Sequence, residues 1–310
     1  MAVPEAARGI TAVVVTYNPD PAQLARLCEA VQPQVEHVIL VDNGSSAEAL
    51  PALQALVAGP SSALTLQALG ENRGIGAAQN AGIALARERG SRYVLLLDHD
   101  SIPEAGMVAT LRAAIENQPA GSPPVAAAGP RYADARQTTN PSPFVQLEGF
   151  KRVRCECRHA GQLIEVEHLI ASGSLIPMAV LDAVGDMDER LFIDYVDIEW
   201  CLRAAHAGYR MLGVCDARMQ HELGDTPIRF MGKHLPDHSP LRHYYLFRNA
   251  LLLQRMPHIG WRWKVVDAYQ TVMKYGFYAL VATPRLPRIR MMNRGLWDGL
   301  LGRGGAYQPR

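Results

Sequence analysis

The sequence predicts an α/β fold: a parallel sheet covered by helices on both faces, followed by a helical C-terminal extension. Three observations carry this expectation. Strand-like and helix-like segments alternate through residues 10–100, the rhythm of a parallel sheet. Polar residues stand at the carboxyl ends of those strands, where sheets of this kind bind ligands. From Pro240 onward the pattern is helical and ends in a Gly/Arg-rich tail. With 310 residues, 48% hydrophobic and 20% charged, the chain can bury a substantial core as one large or two modest domains. Its composition is neither disordered nor fibrous.

The elements follow in order. Ile10–Thr16 reads as a strand, Pro21–Val31 as a helix, His37–Val41 as a strand and Ala47–Val57 as a helix. Ala63–Ala68 is expected to be a strand, Ile75–Arg89 an alanine-rich helix and Tyr93–Leu97 a strand, with a further helix starting near Pro103. Residues 119–168, rich in Pro, Gly and Arg, read as a long loop region with one strand at Val125–Ala128. Order returns at Leu169–Ile176. Helices are expected at Met178–Ala183 and Val196–Ala207, and a strand at Arg210–Val214. There is no internal repeat.

Five cysteines, an odd number without framework spacing, suit a reducing cytoplasm. Cys155-Glu156-Cys157 with His159 hints at zinc, but no second ligand pair follows at finger-like spacing. The N-terminus lacks a basic segment followed by an apolar one, so no signal peptide is expected.

The densest chemistry is Asp98-His99-Asp100-Ser101, directly after the apolar run Tyr93–Leu97. Side chains alternate along an extended segment, so Asp98 and Asp100 would point the same way at its end. Two carboxylates side by side are unfavourable unless a cation neutralises them or a ligand hydrogen-bonds them. That points to a divalent ion and a phosphate-bearing substrate; a solvated Asp-rich turn is the plain alternative. Asp42-Asn43-Gly44-Ser45 follows another strand, and an Asp there can accept the imide N–H of a uracil or thymine ring, or simply form an Asn-Gly turn. Asn72-Arg73-Gly74 opens a helix whose backbone N–H groups, with Arg73, suit a diphosphate. Asp197 falls in the first turn of the expected helix at 196, where the helix N-terminus favours its ionised form. Glu199 and Arg203 have the spacing of a helical ion pair. His221 would be a third metal ligand if the chain folds it beside Asp100.

Charge is unevenly spread. From residue 229 to 310, fourteen Lys/Arg face three acids, leaving this tail at +11 and residues 1–228 at −10. Mixed with Trp261, Trp263, Tyr275, Phe277, Tyr278 and Trp297, the excess reads as a surface for anionic lipid headgroups. Packing or oligomerisation, including a homo-oligomer, is the other use of such a tail. Asp267 and Lys274 interrupt the apolar stretch Val265–Thr283, which argues against a spanning helix. No nucleic-acid-binding motif accompanies the charge, so nucleic acid is not an expected partner.

In order and spacing these pieces resemble the inverting GT-A-fold glycosyltransferases of the large family 2, whose members use nucleotide-diphosphate sugars. The likeness runs from Val13-Val14-Val15-Thr16-Tyr17-Asn18 through Asp42, Asn72-Arg73-Gly74 and Asp98–Asp100 to Asp197-Ile198-Glu199-Trp200 and His221. Phe192–Arg203, His221–Asp225 and Arg242–Asn249 further resemble bacterial rhamnosyltransferases of O-antigen and surface-polysaccharide assembly. The resemblance implies a GT-A catalytic domain over 1–227, with a donor half at about 10–118 and an acceptor half at about 125–227, and a basic helical region over 228–310. It implies that Thr16, Tyr17, Asn18, Asp42 and Asn43 hold the nucleoside, and that Asn72, Arg73 and Gly74 hold the diphosphate. Asp98 and His99 would lie near the ribose, and Asp100 with His221 and Asp98 would bind Mg²⁺ or Mn²⁺. Asp197 takes the place of the general base, while Glu199 and Trp200 would shape the acceptor site. The implied acceptor is a lipid-linked glycan at the cytoplasmic side of the inner membrane. A sugar-1-phosphate nucleotidyltransferase is disfavoured, because Thr16-Tyr17-Asn18-Pro19-Asp20 stands where a Gly- and Arg-rich loop is needed.

Overall fold

The computed structural model describes residues 5–58, 63–133, 144–221, 228–230, 233–235 and 238–309, with backbone alone at 221, 228–230 and 233–235. Its first half follows the expected order: β1 (Ile10–Thr16), α1 (Pro21–Val31), β2 (His37–Asp42), α2 (Leu50–Val57), β3 (Leu64–Ala68), α3 (Ile75–Glu88) and β4 (Tyr93–Asp98). Local chemistry fixes α1 well: the Asp20 side chain accepts from the Gln23 N–H at 2.7 Å, and Pro21 occupies the first turn. Then come β5 (Ser101–Pro103), α4 (Met107–Glu116), β6 (Val125–Ala133), β7 (Phe144–Glu148), β8 (Lys151–Cys155), β9 (Leu163–Val166), β10 (Leu175–Pro177), α5 (Met178–Val184), α6 (Val196–His206) and β11 (Arg210–His221). Three helices follow: α7 (Pro240–Gln254), α8 (Trp261–Leu280) and α9 (Arg285–Leu300).

The main sheet runs β3-β2-β1-β4-β10-β6-β11-β5, with β9 also beside β11. β1 to β4 pair in parallel, as do β6 and β11, whereas β10, β5 and β9 are antiparallel insertions. The sheet is therefore mixed and mainly parallel. Its central strands are buried on both faces. In β1, Ile10, Ala12 and Val14 enter one apolar cluster, while Val13 and Val15 enter the other. This two-sided burial explains the unbroken apolar runs of the central strands. It also leaves only their carboxyl ends free for polar residues.

Several sequence expectations need correction. Residues 119–168 are not one loop: β6 extends to Ala133, β7 and β8 form a hairpin, and β9 joins the sheet. The hairpin was hidden by its charge, since Lys151, Arg152 and Arg154 break the alternation that marks a buried strand. The strand expected at Arg210–Val214 does not stop there: β11 runs on to His221 through a register shift against β6 between Val214 and Arg218. β5 intervenes before the helix expected near Pro103, which begins at Met107. Cys157 and Cys215 form a disulfide, 58 residues apart, so cysteine usage no longer argues for a reducing compartment. The same pairing removes Cys157 from the zinc reading, and Cys155 donates instead to Gln146 at 3.1 Å. The boundary at 227/228 and Glu222–Asp225 lie outside the described residues.

The C-terminal helices pack into this body. Ala250, Leu253 and Trp263 share an apolar cluster with Val13, Val41 and Leu96 of the sheet. α9 lies tightly on α7, where a side chain at Gly295 would stand 2.3 Å from the Tyr244 carbonyl oxygen. Part of the basic excess is buried or paired within the protein. Arg248 and Arg288 are buried, and Arg294 and Arg303 each lie 2.9 Å from Asp298. Among the described residues no helix is long and apolar enough to cross a membrane.

Candidate active site

A cavity of about 570 Å³ opens at the carboxyl ends of β1, β2 and β4. Parallel register aligns those ends, with Thr16 opposite Asp42 and Val15 opposite Asp98. Thr16, Tyr17, Asn43, Asn72, Gly74, Asp98, His99 and Asp100 line one side. Phe192–Ile198, with Arg152, Arg242, Asp267 and Lys274, lines the other.

On the first side, hydrogen bonds lock the loops to each other. Asp42 is buried and does not line the cavity. Its carboxylate accepts from the Thr16 hydroxyl at 3.2 Å, the Ser45 N–H at 3.0 Å and the Ser45 hydroxyl. It therefore shapes the turn that carries Asn43 rather than presenting an open acceptor. Asn43 accepts from the Arg73 N–H at 2.9 Å and donates to Asn72 at 3.2 Å, while Asn18 accepts from the Ser46 N–H at 2.8 Å. The Arg73 side chain is exposed and also absent from the cavity wall. This turn contributes through its backbone.

On the second side, Asp197 sits in the first turn of α6. Its carboxylate accepts from the Ile198 N–H at 2.9 Å and the Ala171 N–H at 3.3 Å. Burial raises its pKa above the ordinary aspartate value, assisted by Asp194 and opposed by His168 and these two N–H groups. Glu199 and Trp200 do not line the cavity. Glu199 is buried against Arg203, 3.0 Å away, and His258, 2.9 Å away; Trp200 donates to the Gly185 carbonyl at 2.9 Å. Two residues on from Asp197, Glu199 necessarily faces another way on the helix. Both act on the scaffold of α6 and not on the cavity surface.

Ala171 and Ser172, which sequence reasoning passed over, join the two sides. Ala171 donates to Asp197, while the Ser172 hydroxyl accepts from the Asp98 N–H at 3.0 Å and lies 2.7 Å from the Ser101 hydroxyl. For a divalent ion, Asp98 and Asp100 offer oxygen ligands at the cavity wall, a partial set suited to a hard cation that also takes diphosphate oxygens. The backbone of His221 pairs with that of Ser101, next to Asp100. Among the described residues no three His, Cys, Asp or Glu side chains are grouped to hold an ion.

The segment before Asp197 is strained. Phe192, Asp194 and Tyr195 have φ of 64°, 64° and 67°, the left-handed region. The C-terminal helices hold it there. Asn249 donates to the carbonyls of Leu191, Ile193 and Asp194 at 2.8, 2.8 and 2.9 Å. Arg248 donates to Leu191 at 2.9 Å, Arg242 pairs with Asp194 at 3.0 Å, and the Tyr195 hydroxyl donates to Asp267 at 3.0 Å. Across the cavity, the Ile75 N–H donates to the Phe192 carbonyl at 2.7 Å. Gly74 permits this approach: it has φ of 89°, and a Cβ there would stand 2.6 Å from the Phe192 oxygen.

Comparison with known proteins gives this geometry a context. Residues 11–159 match the family described as Glycosyl transferase family 2. The chain is 34% identical over 304 residues to the dTDP-rhamnosyl transferase RfbF of Shigella flexneri, covering 96% of this chain and 98% of that protein. It is 27% identical to the galactofuranosyltransferase GlfT1 of Mycobacterium tuberculosis, over 93% of this chain and 92% of that protein. Among solved structures, GalNAc-T7 with UDP, GalNAc and Mn²⁺ superimposes with a TM-score of 0.59 at 15% identity. That match covers 88% of this chain but only 57% of GalNAc-T7.

The likeness to RfbF spans the C-terminal helices, whose clamp on the 192–195 segment makes a direct prediction. Asn249→Ala removes a donor from three carbonyls, of which only that of Leu191 keeps Arg248, and the unfolding free energy should fall by about 2–4 kcal/mol. Urea denaturation followed by circular dichroism measures this; wild-type stability would show that the clamp carries no weight.

Proposed function

The chain belongs to glycosyl transferase family 2 and is a GT-A-fold glycosyltransferase, and on that premise we propose that it transfers L-rhamnose from dTDP-L-rhamnose, with inversion, to a hydroxyl of a lipid-linked glycan. The observation that carries the mechanism is the pairing of Asp197 with Asp98 and Asp100 across one cavity, joined through Ala171 and Ser172. The likeness to RfbF over nearly the whole of both chains favours rhamnose over other donors.

The acceptor hydroxyl attacks the anomeric carbon from the face opposite the departing nucleotide diphosphate. Asp197 takes the hydroxyl proton as the new bond forms, a contribution of about 10²–10⁴ in rate. Thr16, Tyr17 and Asn43 line the nucleoside end, and the backbone at Asn72–Gly74 lies where the diphosphate enters the helix N-terminus of α3. Asp98, Asp100 and His221 are the residues that would hold Mg²⁺ or Mn²⁺, which supplies Lewis-acid stabilisation of the leaving diphosphate. A β-L-rhamnosyl donor then gives an α-L-rhamnoside.

The reaction belongs at the cytoplasmic face of the inner membrane. Supporting this, α8 exposes Trp261, Val265, Tyr269, Val272 and Leu280, an apolar stripe at helical spacing. Arg262, Arg285 and Arg290 are also exposed, beside or following it, and suit anionic headgroups.

Four measurements test this function. Asp197→Asn should leave donor affinity within about twofold while kcat falls by about 10²–10⁴. Because burial raises the Asp197 pKa and the base must be ionised, the wild-type kcat should rise with pH through a limb above the ordinary aspartate value of 3.8. Retained turnover by the variant excludes Asp197 as base. In a thermal-shift screen of nucleotide sugars, dTDP-L-rhamnose with Mn²⁺ should stabilise the protein selectively, and EDTA should remove both the shift and the activity. A preference for UDP-galactofuranose or GDP-mannose would replace the donor, and EDTA-resistant transfer would exclude the metal. Finally, co-sedimentation with anionic liposomes should be lost in the double variant Trp261→Ser, Tyr269→Ser; unchanged binding would assign the stripe another role.

A further inference from the structure

The acceptor wall of the cavity contains a cation that the mechanism above does not use. Lys274 lies on α8 and lines the cavity, yet its ammonium has no hydrogen-bond or ion-pair partner among the described residues. Asp267, which attracts it more strongly than Asp194 does, already accepts from the Tyr195 hydroxyl at 3.0 Å and lies 3.9 Å from Arg152. Arg152, from the β7–β8 hairpin, is similarly under-used. One of its nitrogens donates to Gln270 and Glu167 lies 3.6 Å from Nε, but Nε and Nη2 are buried without a hydrogen-bond acceptor. Its guanidinium rests 5.6 Å from the centre of the Trp263 ring, which holds it at the wall. Arg242 differs, because Asp194 engages it directly.

A half-buried ammonium that carboxylates attract but no acceptor hydrogen-bonds is costly unless something completes its coordination. Burial lowers the Lys274 pKa, and Asp267 only partly restores it. An anionic ligand would relieve that cost. We propose that Lys274, supported by Arg152, forms a subsite for an anionic group on the acceptor, separate from the donor diphosphate. The position on α8 favours one source. Val272 and Met273, immediately before Lys274, are exposed on the helix that carries the apolar stripe, whereas Lys274 reaches the cavity. A lipid held along the outer face of α8 would thus present its diphosphate to Lys274 and its sugar to the cavity beyond. The carboxylate of an acidic sugar is the other source of the same chemistry. The inference rests on the lipid-linked acceptor reading above and refines it.

Binding of farnesyl diphosphate, farnesol, octyl glucuronide and octyl glucoside to the full chain, measured by calorimetry in EDTA, tests it without any turnover. Farnesyl diphosphate should bind wild type at least tenfold more tightly than farnesol. Lys274→Gln should erase that advantage, Lys274→Arg should keep most of it, and Asp98→Asn should leave it intact. Thermal melting checks that each variant is folded. If instead the glucuronide alone gains from Lys274, the subsite stands with an acidic sugar as its ligand and the lipid-diphosphate source falls. If neither anion depends on Lys274, or if Asp98→Asn removes the same advantage, the subsite itself is overturned, whatever the outcome of the donor screen.

Discussion

Phe192, Asp194 and Tyr195 occupy backbone conformations that their own side chains disfavour, and the position of Asp197 depends on their staying there. A non-glycine residue in the left-handed region costs on the order of 1–2 kcal/mol, so the three together cost about 3–6 kcal/mol. The compensation is concentrated in α7. Asn249 directs both of its amide hydrogens at three carbonyls of the segment, and the buried guanidinium of Arg248 adds bonds to Arg190 and Leu191. Hydrogen bonds worth about 1 kcal/mol each when neutral, and more when charged, reach the same magnitude. Phe192 also stacks on Tyr245, with ring centres 4.8 Å apart. The Asp197 carboxylate is thus set by a helix more than forty residues downstream.

This arrangement changes what the C-terminal extension is for. Its composition reads as a lipid-facing surface, but its buried arginines serve the interior. Arg248 braces the segment before Asp197, and Arg288 caps the carbonyls of Thr283 and His238. α8 contributes on both of its faces, with Asp267 accepting from Tyr195 inside and Trp261, Tyr269 and Val272 exposed outside. Any force that moved α8 at a surface would also act on the Tyr195–Asp267 bond. The Ile75–Phe192 bond likewise ties the turn at Asn72–Gly74 to the segment before Asp197, so the two halves of the cavity share a backbone contact. Gly74 makes that contact sterically possible.

The parts of the fold legible in the sequence are those decided locally. β1 and α1 match their expected limits, because an unbroken apolar run and an Asp-Pro cap need no distant partner. The place of the Asp98–Ser101 tetrad at the end of β4 was legible for the same reason. What escaped was whatever depends on pairing across long separations: the charged β7–β8 hairpin, the Cys157–Cys215 link, and Ser172 between Asp98 and Ser101. Asn249 was visible as part of a family-like stretch, but its task could not be read, since its acceptors are backbone carbonyls without sequence identity. Asp42 shows a subtler limit. Its position beyond β2 was readable, whereas the Thr16 and Ser45 hydroxyls that turn its carboxylate inward were not.

The two acids of α6 show how environment divides chemistry between similar groups. Asp197 and Glu199 are two residues apart, which on a helix sends them to different sides. Glu199 meets Arg203 through both carboxylate oxygens and has His258 beside it, so its charge is matched by an existing ion pair. Asp197 has only two backbone N–H groups, and burial pushes its pKa upward, so protonation relieves a desolvated charge. A general base should gain little stability from remaining ionised and should face the substrate cavity. Asp197 meets both conditions and Glu199 neither. The strain stored in residues 192–195 therefore has a chemical purpose: it turns the start of α6 so that the poorly compensated carboxylate, and not the paired one, faces the cavity.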